Sequence, residues 1–148
     1  MHVCLKGEDD AERGFTLIEV LVVMLIVGML AAISIPVFLN QRTKAHETAA
    51  KSDAASIGMQ VSTFLVDGNP DSVSAGALPI VGPATVTVTA TRGTVIDASP
   101  VRLSTGDTLT ALTYNATTGN YCVEITPSDG DASAWNAAPG GVVKGNCP

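Results

Sequence analysis

RGFTLIEVLVVMLIVGMLAAISIPVFLN, Arg13 to Asn40, decides how the rest of the chain is read. Between Val20 and Leu39 it holds no charge and a single hydroxyl, Ser34. Twenty such residues are about what an α-helix needs to cross a hydrocarbon layer of roughly 30 Å. A buried helix of a soluble protein has little use for so long a face that is apolar all round. A secretory signal peptide fits poorly, because cleavage would follow the apolar run at small residues, and Ile35-Pro36-Val37-Phe38-Leu39 offers no such site. The short polar segment ending at Gly14 lies on the other side of the run, so trimming there keeps the span in the product.

Downstream the polarity changes but the helical period does not. Ala50, Ala54, Ile57, Val61, Phe64 and Leu65 recur every three to four residues, and Arg42, Lys44, Glu47, Lys51 and Asp53 supply polar faces. Asp67-Gly68-Asn69-Pro70 reads as the stop, with Gly in the left-handed position and Pro beyond it. One helix over Phe15 to Val66 is therefore expected, apolar all round in its first half and one-sided in its second.

The remainder reads as strands. Thr85-Val86-Thr87-Val88-Thr89 alternates as a half-buried strand does. Val101 to Leu103, Thr108 to Tyr114 and Tyr121 to Ile125 are further candidates, the last two joined by the turn-rich Asn115 to Asn120. After Ile125, Pro127, Asp129-Gly130-Asp131 and Pro139-Gly140-Gly141 suggest loop. The expected fold class is α+β, a long N-terminal helix packed through its one-sided half on a small antiparallel sheet. Four segments follow: a leader over 1–14, an apolar membrane or assembly helix over 15–39, an amphipathic half over 40–66, and a β-rich head over 67–148.

At 148 residues, the chain has room for one globular core and one membrane segment. The formal charge of -6 argues against a basic nucleic-acid binder, and no direct nucleic-acid site is evident. Glu8, Asp9, Asp10 and Glu12 outnumber Lys6 and Arg13 in the leader, and its removal leaves ten acids and six bases. Cys4 would leave with the leader, so Cys122 and Cys147 remain as a pair. In a small head poor in aromatics they read as a disulfide made in an oxidising compartment. The alternative is two reduced thiols in a cytosolic domain, against which the apolar run speaks for export.

Glu19 needs a reason. A carboxylate in a span costs roughly 2.5 to 3.5 kcal/mol on insertion scales. A cut between Gly14 and Phe15 would create an ammonium about one helical turn from Glu19, at a helix end whose dipole also favours a negative group. In a stack of such helices, the Glu19 of one could instead meet the amine of its neighbour and set axial register, as a lone polar group does in a coiled coil. The plain alternative is a carboxylate snorkelling to the membrane interface.

Arg13-Gly14-Phe15-Thr16-Leu17-Ile18-Glu19-Val20-Leu21-Val22-Val23 resembles the processing site and first helical turns of the type IV prepilins. The resemblance covers roughly residues 13 to 40. It implies that a membrane prepilin peptidase cuts after Gly14 and N-methylates Phe15, and that Glu19 neutralises the terminal amine of the next subunit. Gly28 and Pro36 match positions where the family often carries helix-weakening residues, which implies lost helicity between them in a filament. A kink at Pro36 alone would follow from the missing N–H. The Cys122–Cys147 pair resembles the disulfide that bounds the C-terminal loop of many pilins.

Weaker signals point nowhere firm. Asp129, Asp131 and Ser133 resemble the opening of a calcium loop of the kind known in secretion pseudopilins, but an Asp-Gly turn explains them more simply. Asn115-Ala116-Thr117 is a glycosylation sequon in a Thr-rich turn. His2 and His46 have no nucleophile or ligand partner in the sequence. Neither a catalytic residue nor a cofactor is expected, and the chain reads as no enzyme.

The leading reading is a structural, major-pilin-like subunit of an extracellular type IV filament. Its implied partners are copies of itself, the prepilin peptidase, the inner-membrane assembly machinery and the membrane before assembly. Alternatives are a pseudopilin of a type II secretion or DNA-uptake system and a monomeric membrane-anchored binding domain. Arg42, Lys44 and Lys51 balance the leader's cations, so the positive-inside rule gives no orientation; the leader and the cysteine pair place the head outside.

Overall fold

The computed structural model describes residues 14–128 and 134–148. The chain divides into two compact units, one ending at Leu39 and the other spanning Asn40–Pro148. One helix, α1 (Leu17–Leu65), contributes to both, with Pro36 inside it. The pilin-like α+β arrangement is present: a long N-terminal helix whose second half packs on antiparallel sheets.

In the first unit, every residue from Leu17 to Leu39 is exposed except Ala31, which is half-buried. By length and composition α1 is able to cross a membrane. The hydrophobic effect on burying a Val, Leu or Ile side chain is about 1.5–3 kcal/mol, so this surface carries a driving force on the order of tens of kcal/mol for leaving water.

In the second unit the helix becomes one-sided. Ala50, Asp53, Ala54, Ile57, Gly58 and Val61 are buried, a stripe at helical spacing. The stop works through the expected residues. Gly68, at φ 102°, donates its amide to the Leu65 carbonyl at 3.1 Å. Arg92 adds a cap that the helix alone lacks, donating from Nη2 to the carbonyls of Phe64 (2.8 Å) and Gly68 (2.9 Å). A cation there also complements the helix dipole.

Eight strands follow: β1 (Ser72–Ser74), β2 (Ile80–Val81), β3 (Ala84–Arg92), β4 (Val95–Leu103), β5 (Thr108–Tyr114), β6 (Tyr121–Thr126), β7 (Trp135–Ala138) and β8 (Gly141–Lys144). They form two antiparallel sheets, β1-β3-β4 and β2-β5-β6-β7-β8, where the sequence suggested one. In β3, Val86 and Val88 are buried while Thr85 and Thr87 are exposed, as the alternation requires. β4 is longer than its legible part, Val101 to Leu103. It is an edge strand, largely exposed, with Pro100 opposite Thr87 at an edge where a missing N–H is tolerated.

The loop expected after Ile125 is a correction. Trp135–Ala138 and Gly141–Lys144 pair as a hairpin around Pro139 and Gly140. Its first strand reads Trp-Asn-Ala-Ala, short and poor in β-branched residues, and it forms because β6 supplies a partner edge. The core gathers Ile57, Val61, Val86, Val88, Leu109, Val123 and Ile125, all fully buried. Close approach of α1 to β7 requires Gly58, where a Cβ would stand 2.7 Å from that of Ala137.

Candidate functional site

The start of α1 is built by Thr16. Its Oγ1 accepts the Glu19 amide at 3.3 Å, and its carbonyl accepts from Glu19 (3.2 Å) and Val20 (3.4 Å). Thr16 is thus the N-cap and Glu19 the third helical residue, the spacing of a capping box. Gly14 and Phe15 are exposed and lie before the helix, so the bond between them stands outside regular structure. Phe15 is 82% exposed, and Glu19 is exposed as well.

This end therefore presents a bulky apolar ring, a carboxylate one turn further on, and an unbroken apolar surface behind them. A carboxylate at the first turn sits favourably on the positive end of the helix dipole. Gly28 and Pro36 both lie within continuous helix, and nothing stands within 4 Å of a Cβ placed at Gly28. Pro36 has no N–H to give to the turn before it. The Ser34 hydroxyl, the run's single polar group, donates to the Leu30 carbonyl at 2.8 Å and so exposes no unsatisfied donor.

Cys122 and Cys147 are joined, with Cα atoms 5.8 Å apart. The bond fastens the C-terminal tail to β6. Glu124 reinforces it, with Oε2 accepting the Cys147 amide at 2.8 Å and Oε1 accepting the Thr110 hydroxyl at 2.9 Å. Asn136 on β7 donates from Nδ2 to the carbonyls of Gly145 (3.0 Å) and Asn146 (3.2 Å). Asn115 is exposed, and its Oδ1 accepts the amides of Thr117 (3.0 Å) and Thr118 (3.1 Å), an ordered Asx turn at the sequon.

The calcium-loop candidates Asp129, Asp131 and Ser133 lie outside the described residues, as does the leader up to Arg13. Among the described residues no group of three or more His, Cys, Asp or Glu side chains could hold a metal. His46 does have a neighbour, its Nδ1 standing 3.4 Å from the Ser128 hydroxyl. Sequence reading missed Thr16 as the cap, although Thr16-Leu17-Ile18-Glu19 carries the capping-box spacing. It also missed Glu124 and the buried Asp107, whose roles come from neighbours distant in sequence.

The model of the prokaryotic N-terminal methylation motif matches residues 10–35. Type II secretion system core protein G of Escherichia coli (strain K12) is 33% identical over 60 residues, covering 40% of this chain and 41% of that protein. Type IV major fimbrial protein FimA of Dichelobacter nodosus is 37% identical over 57 residues, covering 38% and 36%. A fimbrial protein of Pseudomonas aeruginosa is 34% identical over 58 residues, covering 39% and 38%. The chain spans about two fifths of the length of these relatives. No solved structure gives a significant match. Through its methylation motif and N-terminal helix the chain is similar to type IV fimbrial proteins and to core protein G of the type II secretion system, and its long apolar helix packed on antiparallel sheets is a pilin-like arrangement.

Proposed function

We propose that this protein is a membrane-stored subunit of a type IV pilus, cut between Gly14 and Phe15, methylated on Phe15, and polymerised through α1 with its head outside the cell. The observation that carries the proposal is the exposed apolar run Val20–Leu39 behind a capped helix start bearing Glu19. Such a surface is compatible with lipid or with other helices of the same kind, and assembly exchanges one for the other. In the exchange Glu19 meets the Phe15 amine of the next subunit. The stretch Gly28 to Pro36 is where the helix yields, since Gly and Pro are the weakest helix formers.

Replacing Glu19 with Ala tests this. Truncating one partner of a desolvated charge pair costs about 2–5 kcal/mol, and the loss recurs at every subunit contact. Filament yield should fall by more than about tenfold, because each 1.4 kcal/mol is tenfold in affinity. Processing of the E19A protein should continue. Sheared-filament yield and subunit mass measure the two effects, and normal filaments from E19A would reject the proposal.

A second reading, a pseudopilin of a secretion machine, draws on the likeness to core protein G of the type II secretion system. The two separate on deletion of the gene. Loss of surface filaments with protein export intact supports the pilus subunit, and the converse supports the pseudopilin.

A further inference from the structure

Beside the core the head holds a carboxyl group that assembly through α1 does not use. Asp107, between β4 and β5, is fully buried, and among the described residues neither of its carboxylate oxygens has a hydrogen-bond donor in place. The Ser128 backbone amide also acts on this carboxyl, after burial, Asp53 and His46 in size. An unmatched buried carboxylate is costly, several kcal/mol for a bare charge, and it ordinarily neutralises instead.

Its surroundings form a knot of four segments. Asp53 on α1, itself 6% exposed, accepts the Ser104 amide at 2.7 Å and the Ser104 hydroxyl at 3.1 Å. The Asp107 amide donates to the Ser104 carbonyl at 3.3 Å, and its carbonyl accepts the Gly82 amide at 2.8 Å. Gly106 donates to the Gly82 carbonyl at 3.2 Å. A Cβ at Gly82 would run into the Ser104 carbonyl, so the β2–β3 turn is pressed against this loop. Both serine contacts leave Asp53 acting only as an acceptor. A proton on Asp107 would complete the set, turning one orphan oxygen into a donor towards the Asp53 carboxylate.

We propose that Asp107 carries a proton directed at the Asp53 carboxylate, and that this proton latches the β4–β5 loop onto α1, so the loop tightens in mild acid and loosens as the proton is lost. Burial, and secondarily the charge of Asp53, lift the Asp107 carboxyl from its ordinary value of 3.8 to about 6. His46 and the Ser128 backbone pull the other way. Among the described residues, the titratable groups acting on Asp107 are thus Asp53 and His46, both on α1. The β2–β3 turn and the end of β6 contribute backbone and hydroxyl groups.

The sign follows from which state holds the proton. Below about pH 4 Asp107 is protonated folded and unfolded. Between about 4 and 6 only the folded state keeps the proton, so stability falls with rising pH. Above about 6 both states have lost it and the loss is complete.

Thermal unfolding of the full, disulfide-intact chain in detergent micelles at pH 4.5 and pH 7.5 tests the latch, with Asp107→Asn beside it. An amide neutralises the group while keeping its shape. The wild-type Tm, relative to that of D107N, should drop by roughly 5–10 °C between the two pH values. An unchanged difference overturns the proposal. Should D107N fail to fold, carbon NMR of the wild-type Asp107 carboxyl decides: a titration midpoint above about 5.5 supports the latch and one below about 4.5 overturns it. A large Ca²⁺-induced rise in wild-type Tm at pH 7.5, absent in D107N, would assign the pair to a divalent cation and also overturn it.

Discussion

At Gly58 a missing side chain decides how closely the helix meets the sheet. The nearest atom to a Cβ there would be the Ala137 Cβ, at 2.7 Å, and a methyl fixed to a strand has no rotamer in which to move aside. Gly58→Ala gains about 1 kcal/mol in helix propensity and loses about 1–3 kcal/mol to overpacking. The net should be a lower denaturation midpoint for the head, restored in part by combining it with Ala137→Gly. A more stable G58A would mean that α1 and β7 do not meet this closely. Glu19 and Thr16 share a helix end but differ in legibility. The carboxylate is conspicuous because it interrupts an apolar run, whereas Thr16 looks like one more small polar residue until the spacing to Glu19 is noticed. Asp107 gave no local sign: its burial comes from Asp53, Gly82 and Ser104, gathered only by the fold.

Among the elements, those with a strong period were legible and those held by their neighbours were not. The helix from Leu17 to Leu65 follows its apolar residues and stops at Gly68 as the sequence indicates. β3 follows its Thr-Val alternation. β4 was hidden because an exposed edge strand needs no alternation, and β7 because Ala and Asn carry little strand preference. The hairpin β7–β8 lies inside the segment that the Cys122–Cys147 bond closes, a separation of 25 residues. Closing a loop of that length removes unfolded-state entropy worth about 3–4 kcal/mol in the chain-entropy model. Replacing both cysteines with serine should lower head stability by up to about that amount, read from urea midpoints of the oxidised and substituted proteins. It should also loosen β8 before β5. An unchanged midpoint would mean that Glu124 and Asn136 hold the tail without the bond.

For the molecule as a whole, two kinds of surface stand in one chain. The unit from Asn40 to Pro148 closes its core with its own residues, from Ile57 and Val61 on α1 to Leu109 and Ile125 on the strands. The apolar run from Val20 to Leu39 stays exposed among the described residues, Ala31 alone being half-buried, and depends on surroundings of matching chemistry. That contrast gives the proposed cut after Gly14 its consequence: trimming there would free an amine beside Glu19 and keep the whole apolar run. The N-terminal peptide of the subunit, sequenced by mass spectrometry from surface filaments of the native host, tests this most directly. The chain should begin at Phe15 carrying one N-methyl group, with Glu19 and the apolar run intact. A chain beginning at Met1, or one cut after Leu39, would contradict it.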